Sequence, residues 1–96
     1  MRLSEIYTAL SKAMPDGQVD VEITSLTVDS RQVQSGSCFV AIRGSTLDGH
    51  DFIPDAIERG ALIIVDEETR DDLSAPTIRV EDTRLAWAQL SAAWHG

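Results

Sequence analysis

The sequence has a single cysteine, Cys38, so no intrachain disulfide can form. Cys38 lies within the apolar run 38–42, where a cysteine behaves as a small buried hydrophobe. No apolar stretch approaches the roughly 18–20 residues that cross a bilayer. Glu5 interrupts the amino-terminal segment where a secretory signal needs unbroken apolar residues. A cytoplasmic protein without a membrane partner is the expectation. Cationic side chains are scarce too. Eight Lys and Arg against sixteen Asp and Glu give a net charge of -8, which repels a phosphate backbone and argues against nucleic-acid binding. With two histidines, no His-Glu-x-x-His helix and no Cys-x-x-Cys pair, there is little from which to build a metal site. Ser30, His50 and Asp48 or Asp51 can be assembled into a hydrolase triad on paper, but no Gly-x-Ser-x-Gly elbow presents the serine.

What is present fits one small globular domain covering residues 1–96, with 43% hydrophobic and 25% charged residues. Charge is unevenly spread. The run 66–72 is mostly acidic and is read as a solvated loop or short helix, whereas residues 23–47 carry only Asp29 against Arg31 and Arg43. An anionic small ligand would choose the second stretch.

Leu3, Ile6, Tyr7 and Leu10 recur at helical spacing, predicting a helix over residues 3–13 that Pro15 and Gly17 close. Residues 23–28 and 38–42 read as strands, separated by a turn at Ser35 and Gly36. Asp51, Pro54, the apolar Phe52, Ile53, Ala56 and Ile57, and then Gly60 mark a short helix with a glycine stop. Residues 61–65 and 76–80 predict two more strands, and Asp82 is the expected N-cap of a last helix through Leu85, Trp87, Leu90 and Trp94. The two tryptophans need a surface to pack on, either this domain's own sheet or a partner domain. This alternation predicts a three-layer α/β/α domain around a small mixed sheet.

Two places could carry chemistry. The segment from Gly44 to Asp51 has two glycines between a strand and a helix, but His50 and Asp51 stand where a P-loop needs Lys and Ser or Thr. Its backbone N–H groups could hold an anion such as a diphosphate, or the glycines could serve loop geometry alone. His50 is expected to hydrogen-bond locally and fix the loop that leads into the helix. The corner Val28-Asp29-Ser30-Arg31 ends a strand, where α/β sheets open their ligand crevices. Ser30 suits a nucleotide's sugar, base or phosphate, although Asp29 and Arg31 could simply pair with each other.

The ordered series Leu26-Thr27-Val28-Asp29-Ser30-Arg31, Gly36, Phe39-Val40-Ala41, Gly44, Asp48-Gly49-His50-Asp51-Phe52-Ile53, Ala56-Ile57 and Arg59-Gly60-Ala61 resembles the amino-terminal domain of Mur ligases. The opening Met1-Arg2-Leu3-Ser4-Glu5 and the late Val80-Glu81-Asp82-Thr83-Arg84 extend the likeness over nearly the whole chain. MurE is the type most resembled, and MurF shares the same signatures. Ser35 and Ser37-Cys38 depart from the family pattern around Gly36, touching the turn and core more than the pocket. The resemblance implies a domain that binds the UDP moiety of UDP-N-acetylmuramoyl-peptide, with Val28 and Ser30 contacting the uridine diphosphate and Ser45, Thr46 and Leu47 lining the same pocket. It implies no catalytic residue and no cofactor here. ATP and Mg2+ belong to a central domain whose Gly-Lys-Thr loop is expected beyond this chain, and a third domain closes the site. Whether the chain alone acts as an enzyme, which amino acid the parent ligase adds, and its oligomeric state stay open. A stand-alone nucleotide-sugar or protein-binding module, or a fold whose pocket has decayed, is the competing expectation.

Overall fold

A computed structural model of the chain describes residues 1–43, 49–68 and 73–96. Four strands, β1 (Ser25–Thr27), β2 (Ser37–Val40), β3 (Ile63–Asp66) and β4 (Thr77–Arg79), lie side by side in sequence order, and every neighbouring pair is parallel. Helices α1 (Leu3–Ala9) and α3 (Thr83–His95) cover one face, and α2 (Ile53–Glu58) covers the other, so the expected three-layer α/β/α domain forms. The expectation of a mixed sheet is corrected to a parallel one. Antiparallel pairing among the described residues is confined to an isolated bridge between Arg2 and Glu22. β2 and β3 are joined through α2, a crossover that returns the chain to the same edge of the sheet and so makes the two strands parallel. Residue 23, read as the start of β1, instead donates its N–H to the Met1 carbonyl at 2.7 Å, so the strand that joins the sheet is shorter than expected.

The two central strands are continuous apolar runs because both of their faces are buried. Cys38, Val40, Ile63 and Val65 point toward α1 and α3, where they meet Leu3, Ile6 and Leu90. Phe39, Ala41 and Ile64 point the other way, against Ile53 and Ala56 of α2. The register pairs Cys38 with Ile63, Phe39 with Ile64 and Val40 with Val65, so each face stays continuous across the sheet. Burial pushes the Cys38 thiol up to about 12, consistent with an inert core residue. Trp87 and Trp94 pack against this domain's own α1-side core, the first of the two surfaces expected for them.

The first helix ends four residues earlier than its pattern suggests. Ser11 takes a left-handed conformation (φ 57°), while Ser11 N–H bonds to Thr8 O at 3.0 Å and Lys12 N–H to Tyr7 O at 2.9 Å. That is the double bond of a Schellman closure, normally built on glycine. The start of α1 is tied down by Asp20, whose carboxylate accepts from the Ser4 N–H at 2.9 Å and the Ser4 hydroxyl at 2.8 Å. These bonds, the backbone one foremost, hold the Asp20 carboxyl below its ordinary range. Helix α2 stops at Gly60 (φ 109°) as its glycine signal predicts.

Candidate functional site

All four strands end on one edge of the parallel sheet, and the polar and apolar groups of interest gather there. The stretch after β1 is a tight, self-bonded corner. The Asp29 N–H donates to Thr27 Oγ1 at 3.0 Å, and the Asp29 carboxylate accepts the Arg31 N–H at 2.9 Å, capping a 3-10 turn over Ser30–Gln32. The Arg31 guanidinium forks the same carboxylate, Nε to Oδ1 at 3.0 Å and Nη2 to Oδ2 at 2.9 Å. This fork holds the Asp29 carboxyl below its usual range and raises Arg31 above its own. Asp29 and Arg31 thus pair with each other, the plainer of the two readings of that corner. Val28, 37% exposed, and Ser30, 5% exposed, are left facing a cleft of about 570 Å³.

Ile42, which follows β2, forms part of the cleft wall, and so do Gly49 and Phe52 from the 3-10 turn that precedes α2. The backbone of Gly49 lies directly against the end of β2: its N–H donates to Ile42 O at 2.7 Å, and a Cβ there would stand 2.7 Å from Ile42 N. Only glycine permits that approach, which brings the turn carrying Phe52 to the cleft wall. Arg84, on the first turn of α3, completes the wall. Its position is well supported. Asp82 caps α3 as predicted, accepting from Arg84 N–H at 2.9 Å and Leu85 N–H at 3.2 Å. The fully buried Thr83 donates its hydroxyl to Glu67 Oε2 at 2.9 Å and accepts from the Arg43 N–H at 3.1 Å.

Beside the cleft lies a polar network that the sequence pattern places differently. Asp66, assigned to a solvated acidic run, ends β3 with 0% exposure. Its Oδ2 is 2.6 Å from His50 Nδ1, and its Oδ1 accepts from Arg43 Nη2 at 3.2 Å. His50 is therefore held by a residue sixteen positions away, a partner that its local sequence does not announce. Arg43 Nη2 also lies 2.9 Å from His50 Nδ1. Arg43 can only donate, so one nitrogen cannot serve both neighbours; the shorter contact with a buried carboxylate assigns the proton to Nδ1, which donates to Asp66. Glu68, 61% exposed, adds a looser contact to Arg43 at 3.7 Å.

Of the residues implied as uridine diphosphate contacts, Val28 and Ser30 are brought together in the cleft, and Ser45, Thr46 and Leu47 lie outside the described residues. Sequence reasoning missed Ile42, Phe52 and Arg84 as cleft residues. Phe52 and Arg84 were legible only as residues near helix starts, and what makes them wall residues is that α2 and α3 both begin beside the strand ends. The described residues do not suit ATP and magnesium. His50 stands where a P-loop needs lysine and is committed to Asp66, and no group of three His, Cys, Asp or Glu among the described residues could hold a metal ion. No helix is long and apolar enough to cross a membrane among them either.

Residues 22–95 match the model of the Mur ligase family, catalytic domain. Over its whole length the chain is 41% identical to the UDP-N-acetylmuramoyl-L-alanyl-D-glutamate--2,6-diaminopimelate ligase of Geobacter sulfurreducens, of which it spans 19%. It is 45% identical to the ligase of the same name from Bacillus licheniformis, of which it spans 20%. Among solved structures, MurF from Acinetobacter baumannii superposes with a TM-score of 0.75 at 28% identity, covering 94% of this chain and 20% of that one. The matched residues run from the approach to β1 through α3 and include every element that builds the cleft, and by that match the chain belongs to the Mur ligase family.

Proposed function

We propose that this domain anchors the UDP end of a UDP-N-acetylmuramoyl-peptide for an ATP-dependent amide ligase of peptidoglycan precursor synthesis, of the MurE type. The observation that carries the reading is the cleft at the carboxyl edge of the parallel sheet, where such folds bind their ligands. Its volume of about 570 Å³ falls within the range of small-molecule sites. Val28, Ile42 and Phe52 offer an apolar wall for a base and sugar, and Ser30 offers a compact hydroxyl beside it. Val28 and Phe52 are two of the few large hydrophobic side chains left well exposed, at 37% and 40%, which suits a surface that a ligand covers. Ser45, Thr46 and Leu47 belong to the same proposed pocket by resemblance.

The MurE assignment is supported by relatives of that name at up to 45% identity across the chain. A MurF-type parent is the second reading, favoured by the structural likeness at TM-score 0.75. In either case ATP and magnesium would activate the precursor's carboxylate on parts of a ligase that this chain does not supply. The role of this domain is to bind remote from the reacting carboxylate and so position it. That role places the protein in the cytoplasm.

Titration calorimetry of the 96-residue chain with UDP-N-acetylmuramoyl-dipeptide, UDP and ADP tests the proposal. Saturable binding of the precursor and UDP, at least about 10-fold tighter than ADP, is expected, since a pocket that hydrogen-bonds one base leaves groups unpaired with another. Equal affinities for UDP and ADP would reduce the cleft to a general anion site, and folded protein that binds none of the three would refute the anchoring role.

A further inference from the structure

Among the described residues, the charges around the cleft balance in all but one place. Arg31 is neutralised by the Asp29 fork. Asp55, which also lines the cleft, is held by Arg59, whose Nε lies 3.1 and 3.0 Å from its two carboxylate oxygens. Arg84 lines the same cleft, and its guanidinium meets no carboxylate among the described residues. A cation so placed on a cleft wall is conspicuous in a chain of net charge -8. It is also well supported from behind, since the buried Thr83 next to it is bonded to both Glu67 and Arg43.

We propose that Arg84 is the diphosphate-binding residue of this cleft, a role that rests on the nucleotide-binding reading above. Its planar guanidinium presents paired donors that match two phosphate oxygens, a geometry that a lysine ammonium cannot reproduce. The charge of the ligand is then met by the cleft cation that no carboxylate among the described residues engages, while Val28, Ile42 and Phe52 take the base and sugar. Phosphate recognition thus falls to the first turn of α3 and base recognition to the turns after β1 and before α2.

The test measures the affinity of the 96-residue chain for UDP and for uridine, at low and high salt, in the unsubstituted protein, Arg84→Ala and Arg84→Lys. Arg84→Ala is expected to weaken UDP about 10- to 100-fold, the scale of losing charge-assisted bonds to a phosphate, and to leave uridine unchanged. Its residual UDP binding should lose most of its salt dependence. Arg84→Lys should recover only part of the loss. The melting midpoint of Arg84→Ala should stay within about 2 °C, because an exposed substitution away from the core costs little. Unchanged UDP affinity in Arg84→Ala would overturn the assignment. Equal affinity of the unsubstituted protein for UDP and uridine would overturn it while leaving base recognition standing, and absence of any binding would remove the nucleotide reading and this inference together.

Discussion

Asp66→Ala is expected to destabilise the domain by about 3 kcal/mol, the lower end of what removing one partner of a buried charged pair costs. Its carboxylate is fully buried at the end of β3 and bonded to both His50 and Arg43, which come from the two ends of the segment linking β2 to α2. Deleting it removes a buried carboxylate partner from both side chains and leaves a hole between them. The lower end applies because Arg43 is still 26% exposed and keeps Glu68 at 3.7 Å. For a domain of this size the melting midpoint should fall by at least about 12 °C. Glu68→Ala, by contrast, removes a carboxylate that is 61% exposed and should cost under about 1 kcal/mol. His50→Ala should fall between the two, since Asp66 keeps Arg43. Equal small effects from Asp66→Ala and Glu68→Ala would mean that the buried carboxylate does not hold these elements.

Phe39→Ala should be at least as damaging, toward the upper end of the roughly 3–5 kcal/mol that deleting a buried aromatic costs. Phe39 is fully buried on the α2 face of the sheet, and many of its neighbours in that core are small: Ala41, Ala56, Ala61 and Ala75. Alanines cannot reach into the space a phenyl ring leaves, so the cavity persists and carries its full penalty. Phe39→Leu fills most of that volume and should cost no more than about 1.5 kcal/mol. Urea unfolding of the three proteins separates these outcomes. A loss below about 2 kcal/mol for Phe39→Ala would show that α2 can settle onto the sheet, and with it the turn that carries Gly49 and Phe52.

Most of this architecture could be read from local pattern. The apolar runs around residues 38–42 and 61–65 announce buried strands, Asp82 announces the start of α3, and Gly60 announces the end of α2, because each signal acts on its own neighbours. What stayed hidden was set by partners far along the chain. The late start of β1 rests on the N–H of residue 23 reaching back to Met1, while the end of α1 is the local exception, a serine in a conformation its residue type does not announce. Asp66 looked like one more acid in a solvated run, and nothing nearby in sequence shows that it meets His50 and Arg43. At the candidate site, Val28 and Ser30 were legible because strand ends open crevices in this class of sheet. Arg84 was not, because its value lies in its place beside a cleft where Arg31 and Asp55 are already satisfied.

An amide chemical-shift map of the isotope-labelled 96-residue chain during a UDP titration tests the central claim most directly, since it registers weak binding and locates it. The account predicts saturable shifts at Val28, Ser30, Gly49, Phe52 and Arg84, together with Ser45, Thr46 and Leu47, while Ile6 and Trp94 on the α1 side stay silent. Shifts concentrated on the α1 side, or a folded protein whose spectrum does not change at millimolar UDP, would contradict it.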